Sequence, residues 1–300
     1  MTSAARVSVI TIFHDAERFL RDAVESVIAQ SFDDWELILV DDGSTDGSTR
    51  VALEYAAAHP SRVRYLEHPG HENLGRSASR NLGLARARGE LVAFLDSDDV
   101  WLDCKLGEQV AVLAAEPQAA LVYGTRELWT SWNAGAGGTA AAESMVPQGI
   151  PTERLFPPPE LFLLTFGLRR ATVPGSDVMV RRDVARRLGG FENAFRGMFD
   201  DQPLLCKIYL SEPVFVSSRC WTRYRQHPDS CVARWAEAGA DDTEWRRFLS
   251  WIDAYVAERR IADRAVRRAV RRLIRQHRHP TLSRLLAAIS RRAVASWQEA

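Results

Sequence analysis

The 300-residue sequence is poor in cysteine and has no long hydrophobic run. Its four cysteines include no Cys-x-x-Cys pair, which argues against a zinc ribbon and a disulfide framework. No stretch of about 18 apolar residues occurs, and the first apolar run, Val7 to Phe13, is too short for a signal peptide. We therefore expect reduced thiols, no membrane span and a cytoplasmic location.

The composition that is present is ordinary for a globular protein, but its charge is unevenly distributed. Apolar residues make up 46% of the chain and charged residues 26%, so a sizeable core is expected. The formal net charge is +0, yet from residue 259 onward twelve arginines face only two acidic residues. This asymmetry predicts a basic tail on an acidic body.

Short apolar runs alternate with helical patterns along the first 235 residues. Strands are predicted at Val7 to Phe13, Trp35 to Val40, Val63 to Leu66, Leu91 to Leu95, Ser176 to Val180, Val214 to Ser217 and Trp221 to Arg225. Helices are predicted at 19–30, up to Ala58, at Ala78 to Ala87, Asp183 to Leu188 and Leu204 to Leu210. Such alternation is typical of an α/β fold, a mostly parallel sheet covered by helices.

Two of the predicted strands end in acidic clusters. Asp41-Asp42 follows the second strand, and Asp96-Ser97-Asp98-Asp99 follows the fourth. Aspartate is favoured in turns for local backbone reasons alone. Two clusters at successive positions on one sheet edge, however, repel each other unless a cation or a donor-rich ligand offsets their charge. Ligands of such sheets bind at this edge, so the pattern favours a ligand site.

Residues 126 to 175 interrupt the alternation with Trp129, Trp132, a run of small residues and three successive prolines. This composition predicts a mobile loop or lid, whose tryptophans either stack on a sugar ring or pack on the body. Further along, Asp200 and Asp201 precede a helical run, where the helix dipole alone favours carboxylates. These alternatives stay open at the level of the sequence.

The basic tail has helical spacing. From Ile261 to Ile274 apolar residues lie on one face and arginines on the other, and a second helical piece, Leu282 to Val294, follows Pro280. The tail fits packing against the domain and also fits adhesion to anionic lipid through residues 259–292. Nucleic acid is disfavoured by the acidic body and by the absence of a recognition motif. A homodimer that buries the apolar face also stays open.

Several ordered motifs make the chain resemble the family 2 glycosyltransferases, inverting enzymes of the GT-A fold. The resemblance covers about the first 235 residues. It rests on Val7 to Phe13 with Ala16 to Leu20, on Ser26-Val27 with Ala29 to Phe32, on Trp35 to Asp46, on Asn73, Gly75, Ser77, Ala78, Arg80, Asn81 and Gly83, and on Asp96-Ser97-Asp98.

The resemblance implies a GT-A type α/β fold with a C-terminal helical extension. A Rossmann-like nucleotide-sugar half is implied at about 1–125, an acceptor half at about 126–235 and an Arg-rich helical extension at 236–300. The implied reaction is inverting, metal-assisted single displacement, in which a hexosyl or N-acetylhexosaminyl group passes from a nucleotide-diphosphate sugar, expected to be a UDP-sugar, to a hydroxyl acceptor. Because the Gln-x-x-Arg-Trp signature of processive synthases is absent, we expect a discrete acceptor, such as a lipid-linked or cell-envelope polysaccharide intermediate.

The resemblance also implies roles for individual residues. The implied catalytic residues are Asp201, as the general base, and Asp200, as acceptor contact or fallback. The implied nucleotide-sugar-binding residues are Thr11, His14, Asp42, Arg80 and Asp96. The implied ligands of Mn²⁺ or Mg²⁺ are Asp98, Asp96 and His227. A histidine after a strand is otherwise more often structural, so that alternative is kept for His227.

Two other functions fit parts of the pattern. A sugar nucleotidyltransferase shares the α/β layout, but residues 11 to 20 lack the Gly-rich phosphate loop that it should carry. A catalytically inactive nucleotide-sugar-binding scaffold would recruit partners through its arginine-rich helices. The scaffold predicts that Asp201→Asn has no measurable effect on turnover, and the intact set of aspartates disfavours it.

Overall fold

The computed structural model of the protein describes residues 5–133, 143–237 and 242–278. Within them, ten strands form one sheet, flanked by ten α-helices. The strands are β1 (Val7–Phe13), β2 (Trp35–Asp41), β3 (Val63–Glu67), β4 (Leu91–Phe94), β5 (Val100–Trp101), β6 (Leu121–Trp129), β7 (Ser144–Met145), β8 (Arg154–Phe156), β9 (Met179–Arg181) and β10 (Val214–Arg225). The helices are α1 (Glu17–Ile28), α2 (Ser48–Ala58), α3 (Arg76–Arg86), α4 (Lys105–Ala115), α5 (Glu160–Phe162), α6 (Arg182–Arg187), α7 (Gln202–Ser211), α8 (Cys231–Glu237), α9 (Asp242–Glu258) and α10 (Arg264–Arg278). A π-helical turn at Leu163–Gly167 continues α5.

The sheet is mixed but most of its strands run in one direction. Its order is β3-β2-β1-β4-β9-β6-β10-β5, with β7 paired to β6 and β8 paired to β10. Strands β3, β2, β1 and β4 are mutually parallel, β9 is antiparallel to both β4 and β6, and β10 is parallel to β6. Six of the ten described strands therefore share a direction, and the predicted α/β fold with a mostly parallel sheet is confirmed.

The apolar runs of the central strands become core on both faces of the sheet. Every residue of β1 and β2 is buried, as expected for strands covered by helices on both sides. One core cluster lies between the sheet and helices α1, α2 and α4, and the other involves α7, α9 and α10. Helices therefore cover both faces of the sheet, and the carboxyl ends of β1, β2 and β4 lie at its edge.

The two acidic clusters lie at the same sheet edge, as expected, but not at successive strands. Strand β1 lies between β2 and β4 in the sheet. The backbone amide of Asp42 donates to the carbonyl of Phe13 over 2.9 Å, and the amide of Leu95 donates to the carbonyl of Ile10 over 3.0 Å. The carboxyl end of β1 therefore lies between the two clusters.

Several element boundaries differ from the prediction by one or two residues or more. Helix α3 begins at Arg76, two residues before the predicted start, and β9 begins only at Met179. The predicted strands Val214 to Ser217 and Trp221 to Arg225 are one strand, β10. The exposed residues between them interrupt the apolar pattern, but register shifts on either side of Cys220 keep the strand paired to β6 across the irregularity.

The interpretation of residues 126 to 175 as one loop is wrong for their described part. Strand β6 continues to Trp129, and β7, β8, α5 and the π-helical turn follow. Trp132 packs on the body: its Nε1 donates to the carbonyl of Gln226 over 2.8 Å, and its ring meets the edge of Phe19. The small-residue run 134–142 lies outside the described residues.

The described part of the C-terminal region packs against the rest of the protein. Helix α9 is not among the predicted elements, although its apolar residues recur with helical spacing at Trp245, Phe248, Leu249, Ile252 and Val256. Helix α10 buries its apolar face against the π-helical turn and α9. The apolar face of 264–278 is thus packed on the domain, while the predicted piece Leu282 to Val294 lies outside the described residues. The domain boundaries near 125 and 235 stay predictions.

None of the helices in residues 5–133, 143–237 and 242–278 combines the length and the hydrophobicity needed to cross a bilayer.

Candidate active site

Two clefts meet at the carboxyl edge of the sheet. The strand-end cleft is lined by Ile12, Phe13, His14, Asp42, Asn73, Arg76, Ser97, Asp98, Arg196, Asp229, Cys231 and Arg234. The carboxylate cleft includes Arg76, Arg80, Asp96, Asp98, Asp99, Arg126, Asp200, Asp201, Tyr224 and Cys231 among its lining residues. Because Arg76, Asp98 and Cys231 line both, a ligand of two connected parts can extend from one cleft into the other.

Asp42 anchors a loop on one side of the strand-end cleft. Its carboxylate accepts hydrogen bonds from the amides of Leu74 and Gly75, at 2.9 and 3.0 Å, and from the hydroxyl of Ser79 at 3.0 Å. The next residue, Gly43, has φ +76°, and a Cβ there would lie 2.7 Å from a backbone nitrogen. Only glycine allows this close approach, so the residues after β2 shape the cleft wall through the backbone.

Two arginines of α3 hold two of the carboxylates. Arg80, nearly buried, donates to Oδ1 of Asp96 over 2.7 Å and forms an ion pair with Asp200. Arg76, one helical turn earlier, lies 3.6 Å from Asp96 and 3.7 Å from Asp200. Burial acts to raise the pKa of Asp96, but the two guanidinium groups outweigh it and hold that pKa below its usual range. Asp96 is therefore charged, and both Asp96 and Asp200 are already partnered by arginines.

Asp99 is the buried member of the acidic cluster and makes hydrogen bonds that hold its loop in place. Its carboxylate accepts from the hydroxyl of Ser176 at 2.6 Å and from the backbone amide of Arg225 at 3.1 Å. The Arg225 guanidinium donates to the backbone carbonyl of Asp98 over 2.8 Å. Burial, together with repulsion from Asp98 and Asp96, raises the pKa of Asp99 well above its usual range. Asp99 is thus a structural partner of the loop.

Asp98 and His227 form a pair that could bind a cation. The imidazole Nε2 of His227 lies 3.1 Å from Oδ2 of Asp98, and its ring packs 4.4 Å from that of Phe19. Carboxylate oxygen and imidazole nitrogen are ligands that Mn²⁺ accepts. No group of three or more His, Cys, Asp or Glu side chains suited to a metal occurs within the described part of the chain. The pair fits an ion whose remaining ligands come from a substrate, as is usual for Mg²⁺ at phosphates.

Asp201 differs from its neighbour Asp200. It is the residue before the first turn of α7 and lines the carboxylate cleft. Within residues 5–133, 143–237 and 242–278 its carboxylate makes no hydrogen bond or ion pair, whereas Asp200 is held by Arg80 and Arg76. Burial raises the pKa of Asp201, although the charge of Arg80 acts in the opposite direction. A raised pKa makes this carboxylate a stronger base than an exposed aspartate.

Phe199 sets the direction in which the Asp200-Asp201 pair leaves the preceding loop. Its φ is +61°, a left-handed conformation that is strained for an aromatic residue. The ring stacks on Phe248 with centroids 5.6 Å apart and planes 15° apart, and it lies 5.0 Å from the ring of Trp245. Helix α9 therefore supports the backbone conformation that places Asp201 at the cleft.

The structure brings most of the sequence-predicted residues to the two clefts. His14 and Asp42 line the strand-end cleft, and Arg80, Asp96, Asp98, Asp200 and Asp201 line the carboxylate cleft. His227 joins them through Asp98. Thr11 is different: it is 1% exposed within β1 and is not among the lining residues of either cleft. The roles of these residues stay predictions.

Sequence analysis missed the residues that support the site. Arg76 had a signal, since it lies four positions before Arg80 and therefore on the same face of a helix. Asp99 belongs to the predicted acidic cluster but had no role there. Ser176 and Arg225 reach the cluster from positions far along the chain, and their pairing has no local signal.

A family model matches more than half of the chain. Residues 8–187 match the model described as "Glycosyl transferase family 2". The chain belongs to this family. The match covers the elements from β1 to α6, which include the Asp42 and Asp96 to Asp99 clusters, and it confirms the resemblance found in the sequence.

Curated proteins similar to this family member are longer than the matched region. EpsE of Bacillus subtilis is 41% identical over 113 residues, 38% of this chain and 40% of its own. The UDP-Glc:alpha-D-GlcNAc-diphosphoundecaprenol beta-1,3-glucosyltransferase WfgD of Escherichia coli is 33% identical over 122 residues, 41% of this chain and 46% of its own. The chain thus spans less than half the length of these relatives.

Solved structures support the fold of this family member. TarS of S. aureus, residues 1–349 in complex with UDP-GlcNAc, has a TM-score of 0.55 and 18% identity, covering 76% of this chain and 60% of that one. The mannosyltransferase PcManGT of Pyrobaculum calidifontis, in complex with GDP-Man and Mn²⁺, has a TM-score of 0.53 and 18% identity, covering 80% and 66%. The predicted GT-A type fold with a helical C-terminal region is confirmed.

Proposed function

We propose that the protein transfers a sugar from a nucleotide-diphosphate sugar, with a UDP-sugar as the expected donor, to a hydroxyl acceptor with inversion at the anomeric carbon. The observation that carries the proposal is the position of Asp98 and Asp201 in one cleft. Asp98 is paired with an imidazole, and Asp201 is free of partners among the described residues. A leaving diphosphate needs a cation, and an attacking hydroxyl needs a base, so the two positions supply both requirements.

In the proposed reaction Asp201 acts as the general base. Its carboxylate accepts the proton of the acceptor hydroxyl while the hydroxyl oxygen forms a bond to the anomeric carbon. The bond from that carbon to the diphosphate oxygen breaks at the same time, and its electron pair leaves with the nucleoside diphosphate. Burial raises the pKa of Asp201, which suits proton acceptance near neutral pH. Asp200 is ion-paired and would instead contact the acceptor.

The strand-end cleft would hold the nucleotide. His14 and Asp42 line it, in keeping with their predicted contacts to the nucleotide, and Arg76 stands where the two clefts join. The guanidinium groups of Arg76 and Arg80 would offset negative charge on the phosphates, while they keep Asp96 ionised. Asp96 would reach the ribose or a metal-bound water.

Asp98 and His227 would hold a divalent cation, Mn²⁺ or Mg²⁺, together with oxygens of the diphosphate. When bound, the cation offsets the negative charge that develops on the leaving diphosphate. The two side chains already approach within 3.1 Å of each other, and the backbone carbonyl of Asp98 is fixed by Arg225. The ligand positions are thus prepared by the fold of the loop.

For the acceptor we propose a hydroxyl of a lipid-linked or cell-envelope polysaccharide intermediate. The support is the name of one relative, WfgD, which acts on a diphosphoundecaprenol-linked sugar. Transfer would then occur at the cytoplasmic face of a membrane. A hexosyl or an N-acetylhexosaminyl group fits this class of product equally.

The proposal is tested by the release of nucleoside diphosphate from a panel of UDP-, dTDP- and GDP-sugars in the presence of Mn²⁺. We expect one donor to give metal-dependent release. Asp201→Asn should lower that release by about 100- to 10,000-fold, the usual contribution of a positioned base. Asp98→Ala should lower it and weaken its dependence on Mn²⁺.

The matched control is Asp103→Asn, which makes the same chemical change at an exposed aspartate outside both clefts. It should leave the release unchanged. Calorimetry with UDP and Mn²⁺ separates the remaining outcomes. Binding together with full activity of Asp201→Asn would refute the assignment of the base, and absence of binding to UDP, dTDP and GDP would refute the nucleotide-sugar proposal itself.

A further inference from the structure

Helix α10 presents a continuous basic surface, here called the arginine face. It consists of the seven exposed arginines Arg264, Arg267, Arg268, Arg271, Arg272, Arg275 and Arg278. The helix contains no acidic residue. Within the described part of the chain, none of these seven side chains forms an ion pair, although the Arg267 guanidinium donates to a backbone carbonyl over 2.7 Å.

The apolar side of α10, opposite the arginine face, is buried against the protein. Val266, Val270 and Leu273 on the opposite side of α10 are no more than 2% exposed, since they pack on the π-helical turn and on α9. Lipid insertion or a dimer through that apolar face, both open at the level of the sequence, would require α10 to leave the protein. A partner of the docked helix therefore meets arginine side chains.

Acidic residues near α10 form no ion pair with the arginine face in the described residues, and the carboxylate of Asp263 instead accepts from the amides of Ala265 and Val266. Asp253 of α9 lines the groove beside Arg267 and Arg271, but neither arginine forms an ion pair with it in the described residues. Seven like charges on a helix of 15 residues, about 22 Å long, repel one another. That repulsion is relieved by a dense array of anions, and guanidinium groups match phosphate oxygens with two parallel hydrogen bonds.

We propose that the arginine face docks the protein on a membrane that contains anionic phospholipid. A straight row of phosphate-binding side chains on an otherwise packed helix suits a flat surface of headgroups. A second copy of the chain would bring the same seven positive charges opposite one another. Single-stranded nucleic acid would need aromatic side chains for base stacking, and α10 has none. The membrane proposal agrees with a lipid-linked acceptor in the proposed function, but its test does not depend on that function.

Flotation of the full chain with phospholipid vesicles tests the docking. We expect binding to vesicles of phosphatidylcholine with phosphatidylglycerol, no binding to phosphatidylcholine alone, and loss of binding at about 0.5 M salt. Each arginine at the surface contributes about fivefold to affinity, so the double substitution Arg268→Ala with Arg272→Ala should weaken binding about 30-fold. Both side chains are exposed and alanine favours helix, so the variant should fold.

The matched control removes the same charge elsewhere. Arg86 and Arg88 are exposed residues at the end of α3 and beyond it, and Arg86→Ala with Arg88→Ala should bind vesicles as the unchanged protein does. Equal loss in both double variants would overturn the proposal, because net charge alone would then explain binding. Equal affinity for vesicles with and without phosphatidylglycerol would overturn it as well.

Two further outcomes would assign the arginine face to another partner and overturn the membrane proposal. One is tighter binding of duplex DNA or RNA than of anionic vesicles. The other is a dimer in sedimentation experiments that Arg268→Ala with Arg272→Ala dissociates. The same double variant should keep full donor hydrolysis in solution, so a failed flotation with intact hydrolysis would refute docking and leave the proposed reaction standing.

Discussion

Lys105 is a fully buried amine whose charge state should control the stability of the protein. Its Nζ donates to Oε1 of Gln109 over 2.5 Å and lies 4.3 Å from the ring centroid of Trp101. Burial lowers the pKa of Lys105 to about 7, even though the carboxylate of Asp177 acts to raise it. The unfolded chain should titrate near pH 10.4.

The sign of the effect follows from where the proton is bound. Between about pH 7 and 10.4 the unfolded state keeps the proton on Lys105 and the folded state does not, so the free energy of unfolding rises with pH in this window. A difference of about 3.5 pKa units corresponds to about 5 kcal/mol. Below pH 7 both states are protonated, and the full cost of burying the charge is present and constant.

Replacing the lysine with methionine removes the titration but keeps an unbranched chain of similar length. Near pH 7, Lys105→Met should be more stable than the unchanged protein by about 2 kcal/mol, because the relieved cost exceeds the lost contacts with Gln109 and Trp101. Near pH 10 the order should reverse, since the neutral lysine keeps its hydrogen bond to Gln109 without most of that cost. The measurement is urea unfolding followed by tryptophan fluorescence from about pH 7 to pH 10.

The difference between the two proteins isolates Lys105, because every other titrating group is common to both. Lys105→Arg provides the control: a guanidinium stays charged throughout the window, so this variant should be strongly destabilised with no compensating slope. If the unchanged protein and Lys105→Met show parallel pH dependences, the lysine is charged in the folded state and the reasoning from burial is refuted.

Three other substitutions test the supports of the site by urea unfolding. Phe248→Ala should cost about 3–5 kcal/mol, because a fully buried aromatic ring is removed, while Phe248→Leu should cost less. Gly43→Ala should cost about 1–2 kcal/mol and weaken UDP binding, because φ there is +76°, whereas Gly107→Ala within α4 should be neutral or stabilising. Ser176→Ala should cost about 1–3 kcal/mol, since buried Asp99 loses a donor. Unchanged stability in any of the three destabilising cases would contradict the corresponding contact.

Strands and helices were predictable where the apolar pattern of one short segment is enough to define the element. The run Val7 to Phe13 is a strand with the predicted bounds, because every side chain is apolar or small and all are covered. Strand β10 was divided in the prediction because Ser218 and Arg219 interrupt its apolar pattern. Its continuity depends on pairing with β6 across two register shifts, and that information lies in another part of the chain.

The sequence predicted which acidic residues belong to the site, but not which of them are ion-paired. The position of Asp98 and Asp201 after or before regular elements indicated a ligand site. That Asp200 is ion-paired while Asp201 lacks a partner among the described residues depends on Arg76 and Arg80, more than 100 residues earlier in the sequence. No local pattern encodes such a pairing, because it arises only when α3 and the loop before α7 meet.

The stacking of Phe199 on Phe248 has a consequence for the exchange of parts between relatives. Chimeras that combine the first 235 residues with C-terminal helices from another family member would keep every proposed catalytic residue. They would nevertheless lose the ring that holds Phe199 at φ +61°, unless the new helix offers an aromatic side chain at the same place. In such a chimera Asp201 would therefore be displaced. The aromatic residue that packs on Phe199 has to be kept together with the catalytic residues.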